Sequence, residues 1–360
     1  MIGLYIVYAV GGFVLIASLL PMVRADYWIF RVFEYPRLQK WVLVALVLLL
    51  FIIIDDFTEW YEWAFGGALL LNLGYLSYQI LPFLPFSNIQ LLNASTFDRD
   101  RTIGIMIANV YQYNTLFDRL LKLIESCDPD VLVLSETDMA WAEAMSPLHD
   151  NYPYRIEEPL DNTYGLLVFS RYELQDSSVN YLVEDDIPSI FTKVKLPSGE
   201  LLQLYCVHPT PPVPQENPRS TERDKEILIV GKLAKAAKYP VIVAGDLNDV
   251  AWSYTTGLFQ RISGLLDPRR GRGFFNTFHA KYPFIRFPLD HIFCSREFRL
   301  IDIKRLPYFG SDHFPMWVQL EYEPEGKSQQ EKPIPDEEDL EIADEKIKEE
   351  TRDEKQKKEE

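Results

Sequence analysis

The chain has 360 residues, with 53 acidic against 36 basic side chains and a formal net charge of -17; at roughly 100–200 residues per domain it has room for two or three units. That balance excludes a scaffold that holds nucleic acid mainly by neutralising phosphates. It leaves open a metal-assisted enzyme acting on phosphates, because a bound cation reverses the local sign. Cys127, Cys206 and Cys294 stand far apart with no CxxC pair, which argues against a disulfide framework or zinc site and for small buried hydrophobes.

Apolar residues crowd the start. Residues 2–23 carry no charge, close to the ~20 residues that cross a bilayer as a helix. A signal peptide would need a basic start and a small-residue cleavage site, and neither is present. The run from Trp41 to Ile54 lies between Lys40 and the Asp55-Asp56 pair; on its own it is short enough to be re-entrant. From Trp63 to Phe97 there is again no charge, and Pro82 and Pro85 mark where a third helix stops. Residues 1–97 therefore read as a multi-pass membrane anchor with helices at about 2–23, 38–56 and 63–85, the lipid bilayer being the first partner. Trp28, Trp41, Trp60, Tyr61 and Trp63 sit near the segment ends, as an aromatic belt requires. The first loop holds Arg24, Arg31, Arg37 and Lys40, and the second is acidic. The positive-inside rule then places the first loop, and everything after the third helix, in the cytoplasm.

Residues 102–322 alternate apolar runs of strand length with helical spacing. Residues 103–109, 131–136, 164–170, 190–196, 201–208, 239–246, 289–295 and 314–322 read as strands. Helices are expected after Thr115 and over 220–238. The pattern predicts an α/β or α+β domain with one large core. From about Pro324 the composition turns to Glu, Lys, Asp and Gln, so 323–360 is expected to be an acidic, disordered tail; a solvated single helix over 336–358 is the rival.

Polar residues fall at the ends of the apolar strands. Asn109 and Glu136 end the first two, His208 ends a hairpin strand, and Asp246 and Asn248 follow in GDLN. Asp290 and His291 open another strand, and Asp312-His313 precede the last. Strand edges that converge are where ligand sites gather. An inventory rich in oxygen and poor in imidazole suits Mg2+ or Mn2+ better than zinc or copper. Each residue taken singly is also an ordinary turn former or strand cap. His291, facing away from Asp290 along a strand, reads as structural, and His149 as solvent-exposed.

Asn109 in IANV, Glu136 in LSET, GDLN at 245–248, LDH at 289–291 and SDHFP at 311–315 resemble the endonuclease/exonuclease/phosphatase superfamily. That superfamily holds DNase I-like nucleases, abasic-site endonucleases, inositol polyphosphate 5-phosphatases and bacterial sphingomyelinases. The likeness spans about 102–322, and FEYPRLQ at 33–39 is similar to a bacterial membrane-anchored branch, which implies the inner membrane. The resemblance implies a four-layer sandwich of two β-sheets flanked by helices, preceded here by about three transmembrane helices. It implies metal-holding roles for Asn109, Glu136 and Asp312. Asp246 would handle the attacking water, Asn248 would donate to a phosphoryl oxygen, and His313 would touch the phosphate or act as base with Asp290 behind it. His208 would serve the leaving group or the transition state. One departure stands out: several nucleases of the superfamily carry an acidic residue where this chain has Tyr111.

The implied reaction is Mg2+- or Mn2+-dependent hydrolysis of a phosphodiester or phosphomonoester by water attack. The substrate would be a nucleic acid, a phospholipid or an inositol phosphate. Between Asp267 and Phe287, cations interleave with aromatic residues, which makes Arg270, Arg272 and His279 candidate substrate contacts. The contrasting expectation is a non-catalytic membrane protein that uses the same domain as a binding platform.

Overall fold

The computed structural model describes residues 2–95 and 97–352. The N-terminal part contains α1 (Ile2–Leu19), the short α2 (Trp28–Arg31), α3 (Arg37–Ile54) and α4 (Trp60–Ile80). Three stretches are long and apolar enough to cross a membrane: Ile2–Val23, Arg37–Ile54 and Trp60–Phe83. The middle one is a continuous helix of 18 residues. At 1.5 Å per residue it spans about 27 Å, near the ~30 Å hydrocarbon core, so it need not be re-entrant. The third begins earlier than its apolar run because Glu59 and Glu62 form a reciprocal capping box at its first turn. The three pack through a small aromatic core in which Phe51 meets Tyr8, Phe57 and Phe65.

The remaining elements run β1 (Thr102–Asn109), α5 (Phe117–Cys127), β2 (Val131–Ser135), α6 (Met139–Ala144), β3 (Tyr154–Glu158), β4 (Leu166–Ser170), β5 (Leu174–Asn180), β6 (Ser189–Lys195) and β7 (Leu201–Cys206). They continue with α7 (Thr221–Ala236), β8 (Val241–Asp246), α8 (Tyr254–Ser263), β9 (Asp290–Cys294), β10 (Phe298–Arg305), β11 (Met316–Tyr322) and α9 (Glu337–Lys348). One sheet has the order β10-β11-β1-β2-β4-β3, the other β5-β6-β7-β8-β9.

Alternation along the strands builds the layers. Ile103, Ile105 and Ile107 of β1 face Leu204, Ile242 and Ile292 of the other sheet. Their neighbours Met106 and Ala108 turn outward to Leu120, Ile124 and Trp141 on the first helical layer. In β8, Ile242 and Ala244 point inward, whereas Val241 and Val243 pack on Ile227, Val230 and Phe259. Two sheets, each covered by helices, make the expected four-layer α/β sandwich. Cys206 and Cys294 are buried in it, but Cys127 at the end of α5 is only half-buried.

Two parallel pairings set the functional edge. β1 runs parallel to β2 and β7 parallel to β8, so Asn109, Glu136, His208 and Asp246 all leave their strands at the same edge. Antiparallel β9 starts there, with Asp290 opposite Asp246, and antiparallel β11 does likewise after His313.

The expected disordered tail is corrected over its described part. Helix α9 docks on α7 and α8, where Ala343 is buried beside Leu228, Leu258 and Ile262. Ion pairs supply what the composition lacks in apolar area: Arg261 forks onto Asp339 at 2.7 and 2.8 Å, and Lys346 reaches buried Asp224 at 2.8 Å. The last eight positions, 353–360, lie outside the described residues.

The N-terminal helices and the domain are stitched together. Asp26 in the first loop receives Arg219 and Thr221, Trp28 N–H donates to Pro218, and Arg31 pairs with Asp224 at 3.2 Å. Leu91, after the third apolar helix, is part of the inter-sheet core. The Gln90 side chain accepts from the Asp267 amide, and Gly271 N–H donates to Pro82.

Candidate active site

Asp246 is the hub of the strand edge. It ends β8 beside Gly245, whose φ of +145° suits glycine and where a Cβ would come within 2.0 Å of the Val207 carbonyl. One Asp246 oxygen accepts from the Asn248 amide at 2.9 Å. The other accepts from the Asn109 side chain at 3.0 Å and faces His313 Nε2 at 3.6 Å and His208 Nε2 at 4.0 Å. On its far side His313 Nδ1 meets Asp290 at 2.7 Å. Thr277 Oγ1 receives the Asp290 amide, and Ser311 Oγ receives that of His313. His313 is thus held between two carboxylates, with the Phe278 ring 5.0 Å from its own.

Glu136 approaches from β2. Asn109 Nδ2 donates to it at 2.7 Å. Glu136, Asn248 and Tyr111 all take left-handed backbone conformations, with φ of 59°, 49° and 56°. For side chains other than glycine that geometry is costly, and strain of this kind gathers at functional sites. Asp312 is half-buried, with its carbonyl accepting from Ala280 N–H at 2.6 Å.

Burial and charge tune these groups in opposite directions. Burial pushes the Glu136 carboxyl up to about 7. Burial likewise drives His208 down to about 4, so its ring is neutral, and its buried Nδ1 has no hydrogen-bond partner among the described residues. Burial also opposes a proton on His313, but Asp290 and Asp246 outweigh it and lift that imidazole to about 10. Asp246 stays low despite its burial chiefly because the charged His313 faces it.

A divalent cation fits this chemistry. Carboxylate and imidazole atoms of Asp246, Asp290 and His313 lie within 4.8 Å of one another. Glu136 is hydrogen-bonded by amide groups, and burial has raised its pKa, the signature of a carboxylate short of positive charge. Hard oxygen donors of this number suit Mg2+ or Mn2+. Asn109 departs from the role the resemblance implied. It presents its amide nitrogen to Glu136 and Asp246 while its oxygen accepts from Tyr111 N–H, so it orients the carboxylates.

The structure brings Asn109, Glu136, His208, Asp246, Asn248, Asp290, Asp312 and His313 to one edge. His279 borders it, half-buried at the root of the 280–286 loop. Arg270 and Arg272 are corrected as substrate contacts, because their charges are spent inside the protein. Arg270 donates to Gln260 and lies over Phe83, and Arg272 donates to the Leu91 carbonyl and the Asn93 side chain. His291 is structural, holding the Asp249 carbonyl and Arg269. His149 is half-buried beside Glu157 and Phe169 rather than fully exposed.

Two contributors went unnoticed in the sequence. The Asn248 carbonyl accepts from both the Tyr35 hydroxyl and Arg223, each at 2.8 Å. Tyr35 belongs to the FEYPRLQ segment, so the signal was present, but its contact lies 213 positions away.

The sequence model of the Endonuclease/Exonuclease/phosphatase family matches residues 108–313. The chain belongs to that family. Its members are hydrolases of phosphoester bonds that depend on divalent metal. Among solved structures, D. rerio TDP2 complexed with single-strand DNA product is 21% identical, covering 61% of this chain and 98% of that one, with a TM-score of 0.50. The human Nocturnin catalytic domain with bound sulfate is 19% identical, covering 62% and 94%, with a TM-score of 0.51. A family protein from Beutenbergia cavernae is 18% identical, covering 62% and 72%, with a TM-score of 0.50. At these identities the likeness is one of fold. No curated protein matches the sequence.

Proposed function

We propose that this chain is a membrane-anchored, Mg2+- or Mn2+-dependent phosphoesterase that cleaves a P–O bond by water attack. The observation that carries the reading is the Asp246–His313–Asp290 relay set beside Glu136 at one strand edge. Support for anchoring comes from the three apolar helices and from the side on which their loops fall. With three crossings, the first loop and the chain after the third helix share one face of the membrane. The contacts of Asp26, Trp28 and Arg31 with the domain fit that arrangement. In this reading the basic first loop favours the cytoplasm for that face, by the positive-inside rule.

Glu136, Asp312 and the oxygens of Asp246 would hold the cation. When bound, it supplies positive charge to the non-bridging phosphoryl oxygens and acidifies water. The chain's own groups do the rest. Asp246, kept ionised chiefly by charged His313, orients the attacking water and takes its proton. His313, protonated near neutral pH, donates from Nε2 to a phosphoryl oxygen, a role its raised pKa suits better than that of base. Neutral His208 donates to the oxygen on which charge develops. Asp290 fixes the orientation of the His313 ring and stabilises its charge.

The test is hydrolysis of bis(p-nitrophenyl) phosphate and of plasmid DNA by detergent-purified protein with Mg2+, Mn2+ or EDTA, with His313→Ala as control. Metal-dependent turnover lost in the variant is expected. A metal-replete protein inert on every phosphodiester and phosphomonoester would sink the proposal.

A further inference from the structure

The loop after His279, residues 280–286, is anomalous for a protein so acidic. It reads AKYPFIR, with two cations and no carboxylate. Tyr282, Phe284 and Ile285 are 58%, 86% and 54% exposed. Three large apolar side chains side by side in solvent are seldom without purpose.

Its position supplies the purpose. The Phe284 carbonyl accepts from the Gln39 side chain at 3.1 Å. Gln39 stands in the first turn of the middle apolar helix, Arg37–Ile54, so the loop tip lies at the level where that helix would enter the bilayer. Nearby contacts fix this height. Arg37 donates to the Trp252 carbonyl at 2.5 Å, Trp252 Nε1 donates to the Glu34 carbonyl at 2.9 Å, and Phe83 at the end of the third span packs against Trp252 and Phe274. Both span ends therefore rest on the segments flanking Asn248 and Asp290.

The root of the same loop is a wall of the candidate active site. Ala280 N–H donates to the Asp312 carbonyl at 2.6 Å, Phe278 bridges to His313, and Lys281 lies 5.8 Å from the Tyr111 ring. One short segment connects the reacting groups to the height at which headgroups would lie.

We propose that Tyr282, Phe284 and Ile285 form a wedge that enters the headgroup region of the leaflet where Arg37–Ile54 begins, so that the substrate is a phosphate ester carried by a lipid of that leaflet. The inference rests on the membrane-anchored phosphoesterase reading and narrows its substrate class. Apolar side chains take the acyl boundary while exposed Lys281 meets the anionic headgroups. A lipid then reaches the site by lateral diffusion, without leaving the membrane.

Two measurements on the full-length protein, reconstituted in vesicles of equimolar phosphatidylcholine and phosphatidylglycerol, test it. In a Cys127→Ser background, Phe284→Cys is labelled with an environment-sensitive fluorophore, and Met139→Cys on α6 serves as the aqueous control. The label at 284 is expected to be quenched by lipids carrying a shallow nitroxide and shielded from iodide, with the reverse at 139. A label at 284 quenched like the control overturns the wedge. Secondly, Phe284→Asp with Ile285→Asp is expected to lower the ratio of phospholipid turnover to bis(p-nitrophenyl) phosphate turnover by about tenfold or more. An unchanged ratio, or a wild type that cleaves the soluble diester and DNA but no phospholipid, overturns the substrate assignment. Failure of the underlying reading looks different. Release of the wild type by alkaline carbonate removes the anchor, and inertness on the soluble diester removes the hydrolase; either would take the inference with it.

Discussion

The Tyr35 hydroxyl donates 2.8 Å to the carbonyl of Asn248, tying a residue between two long apolar helices to the loop that follows Asp246. Arg223 donates to the same carbonyl. Tyr35→Phe keeps the ring against Phe287 and removes this bond, along with the longer one that the hydroxyl accepts from Arg223 at 3.5 Å. One hydrogen bond of about 1 kcal/mol predicts a turnover about fivefold lower with KM little changed. Steady-state kinetics on a soluble diester will separate the two.

Asp290 is the group that holds His313 in its charged form. Asp290→Asn removes a negative charge 2.7 Å from the ring and drops the imidazole below its raised value of about 10. Turnover is expected to fall on the order of a hundredfold or more. The alkaline limb of the pH–rate profile should move toward neutrality. A profile that keeps its limb in place would assign that limb to another group.

Metal uptake should depend on pH through Glu136. Its carboxyl, raised to about 7, must lose a proton before it can ligate. Below that value each pH unit is expected to weaken apparent affinity about tenfold, and binding should release a proton. Calorimetry in buffers of different ionisation enthalpy measures both. Glu136→Gln should abolish the proton release.

Glu226 makes a separate prediction about stability. It is buried, accepts from Ser189 at 2.6 Å, and burial lifts its carboxyl from 4.5 to about 7. Between those values the unfolded chain has lost a proton that the folded chain retains, so stability falls as pH rises across the window. The loss amounts to about 3 kcal/mol. Thermal melts in detergent from about pH 5 to pH 8 should show that decline in the wild type and a flatter profile in Glu226→Gln.

Removal of residues 336–360 takes Lys346 from Asp224 and uncovers Leu228, Leu258 and Ile262. A loss of about 3 kcal/mol is expected, seen as a melting midpoint lower by several degrees, about 6–10 °C. An unchanged midpoint would return the tail to the status of solvating filler.

The sequence displayed the strands whose both faces are buried. β1, β2 and β8 are continuous apolar runs, and each leads directly to a polar residue of the site. It concealed β3, β5 and β10, where edge positions and surface polarity break the run: Leu174–Asn180 contains Asp176, Ser177 and Ser178. A helix over 336–358 was the rival reading of the tail, but the docking of α9 was hidden because it rests on one buried alanine and charge pairs, which composition cannot distinguish from a solvated helix. Arg270 and Arg272 misled for a related reason. Spacing shows cations among aromatics, but not the carbonyl of Leu91 lying across the fold to absorb one of them.

Asp224 has no exposed surface and draws cations from three parts of the chain: Arg31 before the second apolar helix, its neighbour Arg223, and Lys346 in α9. During synthesis Arg31 leaves the ribosome long before its partner, and Lys346 leaves more than a hundred positions after it. A nascent chain that halts before α9 therefore closes its core around a carboxylate missing one of its counter-charges. The folding protein thus carries its own check on completeness: the first loop and the late helix must both arrive before the centre of the domain is electrically settled.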